Sequence, residues 1–380
     1  MQVIKDKTTI LVIPSLFPQS EGDIKGVFIL DYIKSVLPYC NIIVFDMQPH
    51  IQKNGAEIIA EKEYLYIRNY YRFSSLGRFA KIIKYIKMLY ASYKYSIDLP
   101  PQIQLIHVHG SVFTGLSAFI ISRRINVSYI ISEHTGPFSK VSGNIIIKSI
   151  SKFVIKKSCA LLTVSKDLAN QISTAGIKSH VTYVTYNPVD TQLFSLAIKK
   201  SVHKRFLFVG RLEEYKGAFR SILAFHAAWQ ECPGWQFVII GKGPEEKGIE
   251  DFLSQNTLFS KCVVQKGMCS KAEIAEYMKI SDFFIFPSLH ETFGIVVAEA
   301  MACGLPVIVG DKSAPTEFVD EECGLLVDAN NTLALAAAIQ TMVRTCHNYD
   351  RYLIRQKIVE RFGFDKFGEK LNSIYQDYLE

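Results

Sequence analysis

Eleven short apolar runs, each followed by a polar turn and a helix-like stretch, constrain this chain more than any other feature. In the first half they are TTILVI (8–13), NIIVFD (41–46), QLIHVH (104–109), SYIIS (128–132), ALLTVS (160–165) and VTYVTY (181–186). In the second half they are RFLFVG (205–210), QFVIIG (236–241), CVVQKG (262–267), DFFIFP (282–287) and PVIVG (306–310). Runs without apolar–polar alternation suit strands covered on both faces. Helices between them suit parallel βαβ crossovers. The series pauses at the polar, basic stretch NPVDTQLFSLAIKKSVHKR (187–205) and then restarts. The pattern predicts an α/β chain of two doubly wound, Rossmann-like domains, 1–195 and 196–360, followed by an amphipathic helix in 361–380. Two such domains imply a cleft, and open sheets of this kind take ligands at the C-terminal ends of their strands.

The bulk numbers agree. A chain of 380 residues suits two domains, and 49% hydrophobic residues supply a large core. The net charge of +7 fits an anionic ligand, an anionic lipid surface or ordinary solubility. Nothing in it asks for nucleic acid. The eight cysteines show neither a CxxC pair nor zinc spacing, which points to a reducing cytoplasm. The N-terminal apolar run stops at Pro14, with no signal-peptide pattern, and no apolar stretch reaches membrane-spanning length. Any membrane contact is expected to be peripheral.

Three loops that follow strands carry candidate chemistry. In RFLFVGRLEEYKG, the strand ends at Gly210, and Arg211 and Lys216 follow before Gly217 opens a helix. Two cations beside a helix N-terminus make an anion site, and a diphosphate is its natural guest. The order is not that of a P-loop. In GKGP, Gly241 and Gly243 allow either close approach to a ligand or a tight turn. In HETFGIVVAEAMACGLPVI, a helix starting near Gly294 offers the amides of Gly294, Ile295 and Val296 to an anion. Glu291 precedes that helix and Glu299 lies inside its apolar body. A carboxylate there needs a partner, either a basic side chain or a ligand. Eight helical residues rise roughly 12 Å. A glycosidase pair lies about 5 to 9.5 Å apart, so the spacing does not suit one. It suits two hydroxyl-rich groups joined by a phosphate bridge.

These segments, with NPVDTQLF, SEHTGPF and PTEFVDEECGLLVD, resemble the retaining glycosyltransferases of family 4, which have the GT-B fold. The spacing of Glu291 and Glu299 is similar to that family's EX7E motif. The resemblance implies a donor-binding second domain, an acceptor-binding first domain and a C-terminal helix packing back on the first. It implies that Arg211 and Lys216 hold the donor diphosphate, Glu299 the ribose, and Glu291 the sugar hydroxyls, helped by amides from Phe293 to Val296. It places Gly26 near the donor phosphate, the base near Gly267 and Met268, and His134 near the reacting carbon. The donor would be a UDP- or GDP-linked sugar, with no metal required; no Asp-x-Asp motif is present. The acceptor would be a glycan or lipid-linked glycan, in surface polysaccharide or lipopolysaccharide assembly.

His107 and His109 also end a strand, in LIHVHG, where a histidine is more often structural. IIIKSISKFVIKK (145–157) carries Lys148, Lys152 and Lys156 on one stripe, and GRFAKIIKYIKMLYASYKY mixes lysines with tyrosines. Basic amphipathic helices can lie on anionic membranes, at the inner face of the cell membrane for a cytoplasmic protein. They also serve as solvated faces packed on a sheet. The rival enzyme is a sugar-nucleotide epimerase of the same architecture. The rival from another class is a catalytically silent sugar-nucleotide-binding subunit.

Overall fold

The computed structural model describes residues 7–19, 26–61, 63–73, 80–196 and 204–379. The chain divides into two compact units, Met1–Pro188 with Phe364–Glu380, and Val189–Gly363.

The first unit is an eight-stranded sheet. Its strands are β1 (Thr9–Ile13), β2 (Asn41–His50), β3 (Gly55–Ala60), β4 (Leu65–Arg72), β5 (Ile103–His109), β6 (Tyr129–Glu133), β7 (Leu161–Thr163) and β8 (Thr182–Val184). Their order is β3-β4-β2-β1-β5-β6-β7-β8. Every neighbouring pair is parallel except β3 with β4. The helices are α1 (Val27–Val36), α2 (Ala80–Tyr95), α3 (Phe113–Ile125), α4 (Ser139–Ser142), α5 (Ile145–Lys157) and α6 (Lys166–Thr174). From β1 the chain first winds one way to β2 and later the other way through β5, β6 and β7. Right-handed crossovers therefore put α1 on one face and α2, α3 and α5 on the other. Side-chain alternation matches. Ile10, Val12, Ile42, Val44, Leu105 and Ile130 form one apolar cluster with Ile29, Tyr32 and Ile33 of α1.

The second unit has β9 (Arg205–Val209), β10 (Gln236–Ile240), β11 (Val263–Gly267), β12 (Phe283–Phe286), β13 (Val307–Gly310) and β14 (Gly324–Val327). Its helices are α7 (Ala218–Ala228), α8 (Glu246–Gln255), α9 (Thr257–Ser260), α10 (Lys271–Lys279), α11 (Ile295–Ala302), α12 (Thr332–Thr345) and α13 (Arg351–Phe362). The sheet is wholly parallel in the order β11-β10-β9-β12-β13-β14. The winding reverses between β9 and β12, so the loops leaving these two strands diverge over a crevice. The register pairs Phe206 with both Phe237 and Phe283, and the three rings stack at 4.4 and 4.8 Å. Ring pairs of this kind add about 0.5–1.5 kcal/mol each beyond area burial. They hold β10, β9 and β12 together beneath that crevice.

The last helix, α14 (Phe364–Gln376), returns to the first unit and packs on α1. Phe367, Leu371, Ile374 and Tyr375 enter the same apolar cluster as β1 and β2.

Three strands lie outside the eleven read from sequence. β3 is largely exposed and interrupted by Glu57, and β4 mixes Arg68 and Asn69 with aromatics, so neither presents a continuous apolar run. β14 (GLLV) is apolar but only four residues long, too short a run to stand out as a strand. β3 is also the antiparallel edge strand in a sheet expected to be parallel. The expected boundary at 195 shifts. Residues 189–195 belong with the second unit, because Val189 pairs with Gly363 and Arg355 Nη1 donates to the Phe194 carbonyl at 2.6 Å. Similarly, the second boundary falls at Gly363, not at 360.

Candidate active site

The loop after β9 carries Arg211 to Gly217, and the loop after β12 carries Pro287 to Gly294. They are tied together by one backbone bond and by a side chain from α7. The Leu289 amide donates to the Tyr215 carbonyl at 2.8 Å, and Arg220 donates to the Pro287 carbonyl at 3.1 Å. Lys216 is thereby set against Glu291, with Nζ to Oε1 at 2.5 Å. Both side chains are mostly buried, at 18% and 11% exposure. This largely desolvated ion pair lies at the winding reversal, where an open sheet of this kind takes its ligand. Arg211, the other expected cation, pairs with Glu213, and its side chain is 71% exposed. Sequence reasoning passed over Glu213; its place two residues after Arg211 was the available signal.

Glu299 lies one turn inside α11 and is buried. Its partner is Lys271 of α10, with Nζ to Oε1 at 3.6 Å. The alternative in which each glutamate meets a basic residue is thus the arrangement present. Lys271 was not singled out from sequence. It follows Ser270, which forms a capping box with Glu273 and fixes where α10 begins. One expectation is corrected. Glu291 is not helical, so the full helical rise does not separate the two carboxylates; the helix starts only after Gly294. Gly294 caps α11 at φ 82°, and a Cβ there would come within 2.6 Å of Pro315. The first helical bonds run from Val297 and Ala298 to the Gly294 carbonyl. The amides of Ile295 and Val296 therefore precede the helical bonding pattern and face the helix mouth, as expected for an anion-binding end.

The GKG turn answers the choice between ligand approach and a tight turn. A Cβ on Gly241 would lie 1.8 Å from the Gly210 carbonyl oxygen, and one on Gly243 would lie 2.5 Å from that of Leu212. These glycines let the ends of β9 and β10 touch. Gly210 donates to Ile240 and Leu212 to Lys242, both at 3.0 Å. Met268, beyond Gly267 at the end of β11, is half exposed. Phe293 is buried against Phe318 and Phe362, so only its backbone is available to a ligand. Gly26 caps α1 against Leu16, while residues 20–25 of its loop lie outside the described residues.

The first unit gathers a second polar cluster at the ends of β5 and β6. His107, His109 and His134 form a stack with ring centroids 4.5 and 5.1 Å apart. Tyr32 stands edge-on to all three. His107 bonds through Nδ1 to the Tyr375 hydroxyl at 2.7 Å and through Nε2 to Ser132 Oγ at 2.8 Å. His109 Nδ1 meets His134 Nε2 at 2.9 Å, so one donates and the other accepts. Burial pushes His107 down to about 3 and His134 down to about 4, and holds His109 well below its ordinary range. All three are neutral near pH 7. His134 Nδ1 and His109 Nε2 are enclosed without a hydrogen-bond partner among the described residues. Behind them, Glu133 is fully buried and accepts from the amides of Ser111, His134 and Thr135 at 2.9, 2.9 and 2.8 Å. Three amides on one carboxylate fix the loop that carries His134. Glu133 was not picked out from sequence, although it directly precedes His134.

Known proteins show the same architecture. The profile described as Glycosyl transferases group 1 matches residues 189–356, and that of Glycosyltransferase Family 4 matches residues 47–193. An uncharacterised glycosyltransferase of Methanocaldococcus jannaschii is 28% identical over 242 residues, which are 63% of this chain and 66% of that one. The structure of sucrose-phosphate synthase from Thermosynechococcus elongatus superposes with a TM-score of 0.79 at 18% identity, covering 98% of this chain and 99% of that one. That of Anabaena HepE in complex with UDP-glucose superposes with a TM-score of 0.72 at 17% identity, covering 97% and 99%. The two profiles together run from residue 47 to residue 356 and meet where the two units divide. With two parallel-sheet units and this run of matches, the chain belongs to the family 4 glycosyltransferases and has the GT-B fold.

Proposed function

We propose that the protein moves a sugar from a nucleoside-diphosphate donor to a glycan or lipid-linked acceptor, with retention, in surface polysaccharide or lipopolysaccharide assembly. The observation that carries the reading is the Lys216–Glu291 pair at the winding reversal, beside the mouth of α11. The Anabaena structure with UDP-glucose supports a UDP-linked donor. In this reading the diphosphate takes over Lys216 from Glu291. Arg211 swings from Glu213 to the same group, and the amides of Ile295 and Val296 complete the cradle. Glu291, released, accepts hydrogen bonds from sugar hydroxyls. Glu299, oriented by Lys271, accepts from the ribose.

Breaking the bond to the sugar leaves new negative charge on the diphosphate. Fixed donors already aimed there stabilise it without reorganisation. The chain's own cations suffice for this, and the proposal needs no metal. His134, held neutral by burial, is the residue that the family resemblance assigns to the reacting carbon. The departing phosphate oxygen takes the acceptor's proton.

Incubation with UDP- and GDP-sugars tests the reading. Nucleoside diphosphate should appear, and Lys216→Ala should lower turnover by about 10²–10³, the scale for losing one preorganised donor. An epimerase would return sugar nucleotide without releasing diphosphate. A silent subunit would show ligand-induced thermal stabilisation and no product. Normal turnover in Lys216→Ala removes the leaving-group role.

A further inference from the structure

Between Glu63 and Asp167 the chain has only two acidic residues, Asp98 and the buried Glu133. That span builds the α2–α3–α5 layer of the first unit. The helices pack in that order. Tyr85 of α2 stacks on Phe113 of α3, and Phe119 of α3 meets Phe153 of α5 edge-on. Together they carry four, two and four Lys or Arg residues and not one Asp or Glu. A solvated helical face normally mixes both signs. This one does not.

The layer also shows apolar groups outward. Met88, Ala91, Ser92 and Tyr95 make the buried side of α2. Ile82, Ile86, Tyr90 and Tyr93, followed by Ile97 just past the helix, recur every three or four residues and are 50–67% exposed. That spacing is a second stripe, facing solvent. On α5, Ile145 and Ile146 are 80% and 68% exposed. They open an apolar groove of about 380 Å³ that also runs along Leu116, Ile150 and Phe153. No other element of the described chain covers these groups.

We propose that the α2–α3–α5 face docks on an anionic bilayer, with the α2 stripe and the Ile145–Ile146 corner inserted among the acyl chains. The lysines flanking the stripe would sit at the headgroups, and Tyr90 and Tyr93 at the interface that such rings favour. A neutral apolar partner would not require a face free of acids. A nucleic acid would not require an outward isoleucine stripe. The α1 face and its histidine stack lie on the opposite side of the sheet and stay clear of the lipid. This inference is independent of the reaction assigned above.

The test uses the full chain and two kinds of vesicle, phosphatidylcholine alone and phosphatidylcholine with phosphatidylglycerol. At low salt the protein should sediment with the second and not the first, and salt should release it. Lys81→Gln/Lys84→Gln/Lys87→Gln should weaken partitioning roughly fivefold per charge removed. Ile82→Ser/Ile86→Ser should weaken it at unchanged charge. Both tryptophans, Trp229 and Trp235, lie in the second unit, so Tyr90→Trp places a reporter on the face. Its emission should shift to the blue on phosphatidylglycerol vesicles. Equal sedimentation with both vesicles overturns the proposal. So does undiminished binding of the triple variant, or an unshifted reporter on bound protein. Binding of single-stranded DNA with no vesicle binding also overturns it and reassigns the face to a polyanion. UDP-induced thermal stabilisation, measured in parallel, reads the donor site and separates its failure from this one.

Discussion

Glu133 and Glu299 show two ways of burying a carboxylate. Glu299 has the cation Lys271 beside it, whereas Glu133 is satisfied by backbone amides alone. Glu133→Ala would strand three amides at about 1–3 kcal/mol each, so a loss of roughly 3 kcal/mol or more is expected in urea unfolding. Glu133→Gln keeps an acceptor oxygen and should lose less. The histidine stack makes stability depend on acid. His107 and His134 titrate at 6.5 when unfolded but at about 3 and 4 when folded. Between those values the unfolded chain binds more protons, so stability rises with pH there. It is fully present above 6.5 and is lost as pH falls toward 3. The slope should reach about 1.4 kcal/mol per pH unit for each histidine, and His107→Gln should flatten it. At this scale the sequence spoke in part. An acid inside IVVAEAMA announces that it needs a partner, but Lys271, on another helix, becomes a neighbour only through the fold.

Strands and loops show the same division. Runs such as QFVIIG were legible because burial on both faces leaves an unbroken apolar string. GAEIIA and LYIRNYYR were not, because an edge strand and its neighbour keep polar groups on one side. The glycines of GKG were legible as special. Their role, letting two strand ends touch, needed the sheet order. Gly241→Ala should therefore be severe, since its Cβ would overlap a backbone carbonyl that cannot rotate away. Gly248, inside α8, meets nothing within 4 Å. Gly248→Ala should raise stability by about 0.5–1 kcal/mol through helix propensity. Comparing the two thermal midpoints separates crowding from a general intolerance of side chains.

The whole molecule turns on a chain that leaves its first unit at Pro188 and returns at Phe364. Removing 364–380 uncovers Tyr32, Val36 and the β1–β2 cluster and leaves His107 without Tyr375. Calorimetry of that truncation should show the first unit's transition lowered or abolished and the second unit's retained. That the chain divides into two units near residue 190 was readable from the pause in the strand series. The pairing of Val189 with Gly363, which moves the boundary, was not, because it joins residues far apart in sequence.

The order of synthesis gives α14 a further meaning. A ribosome releases Thr9 long before Tyr375, yet both serve one sheet and its covering layer. The intervening unit can close as soon as its own residues emerge. The earlier half must wait, with its α1-side cluster only partly covered, until α14 has emerged. Nascent chains are thus expected to need chaperone shelter for the half made first.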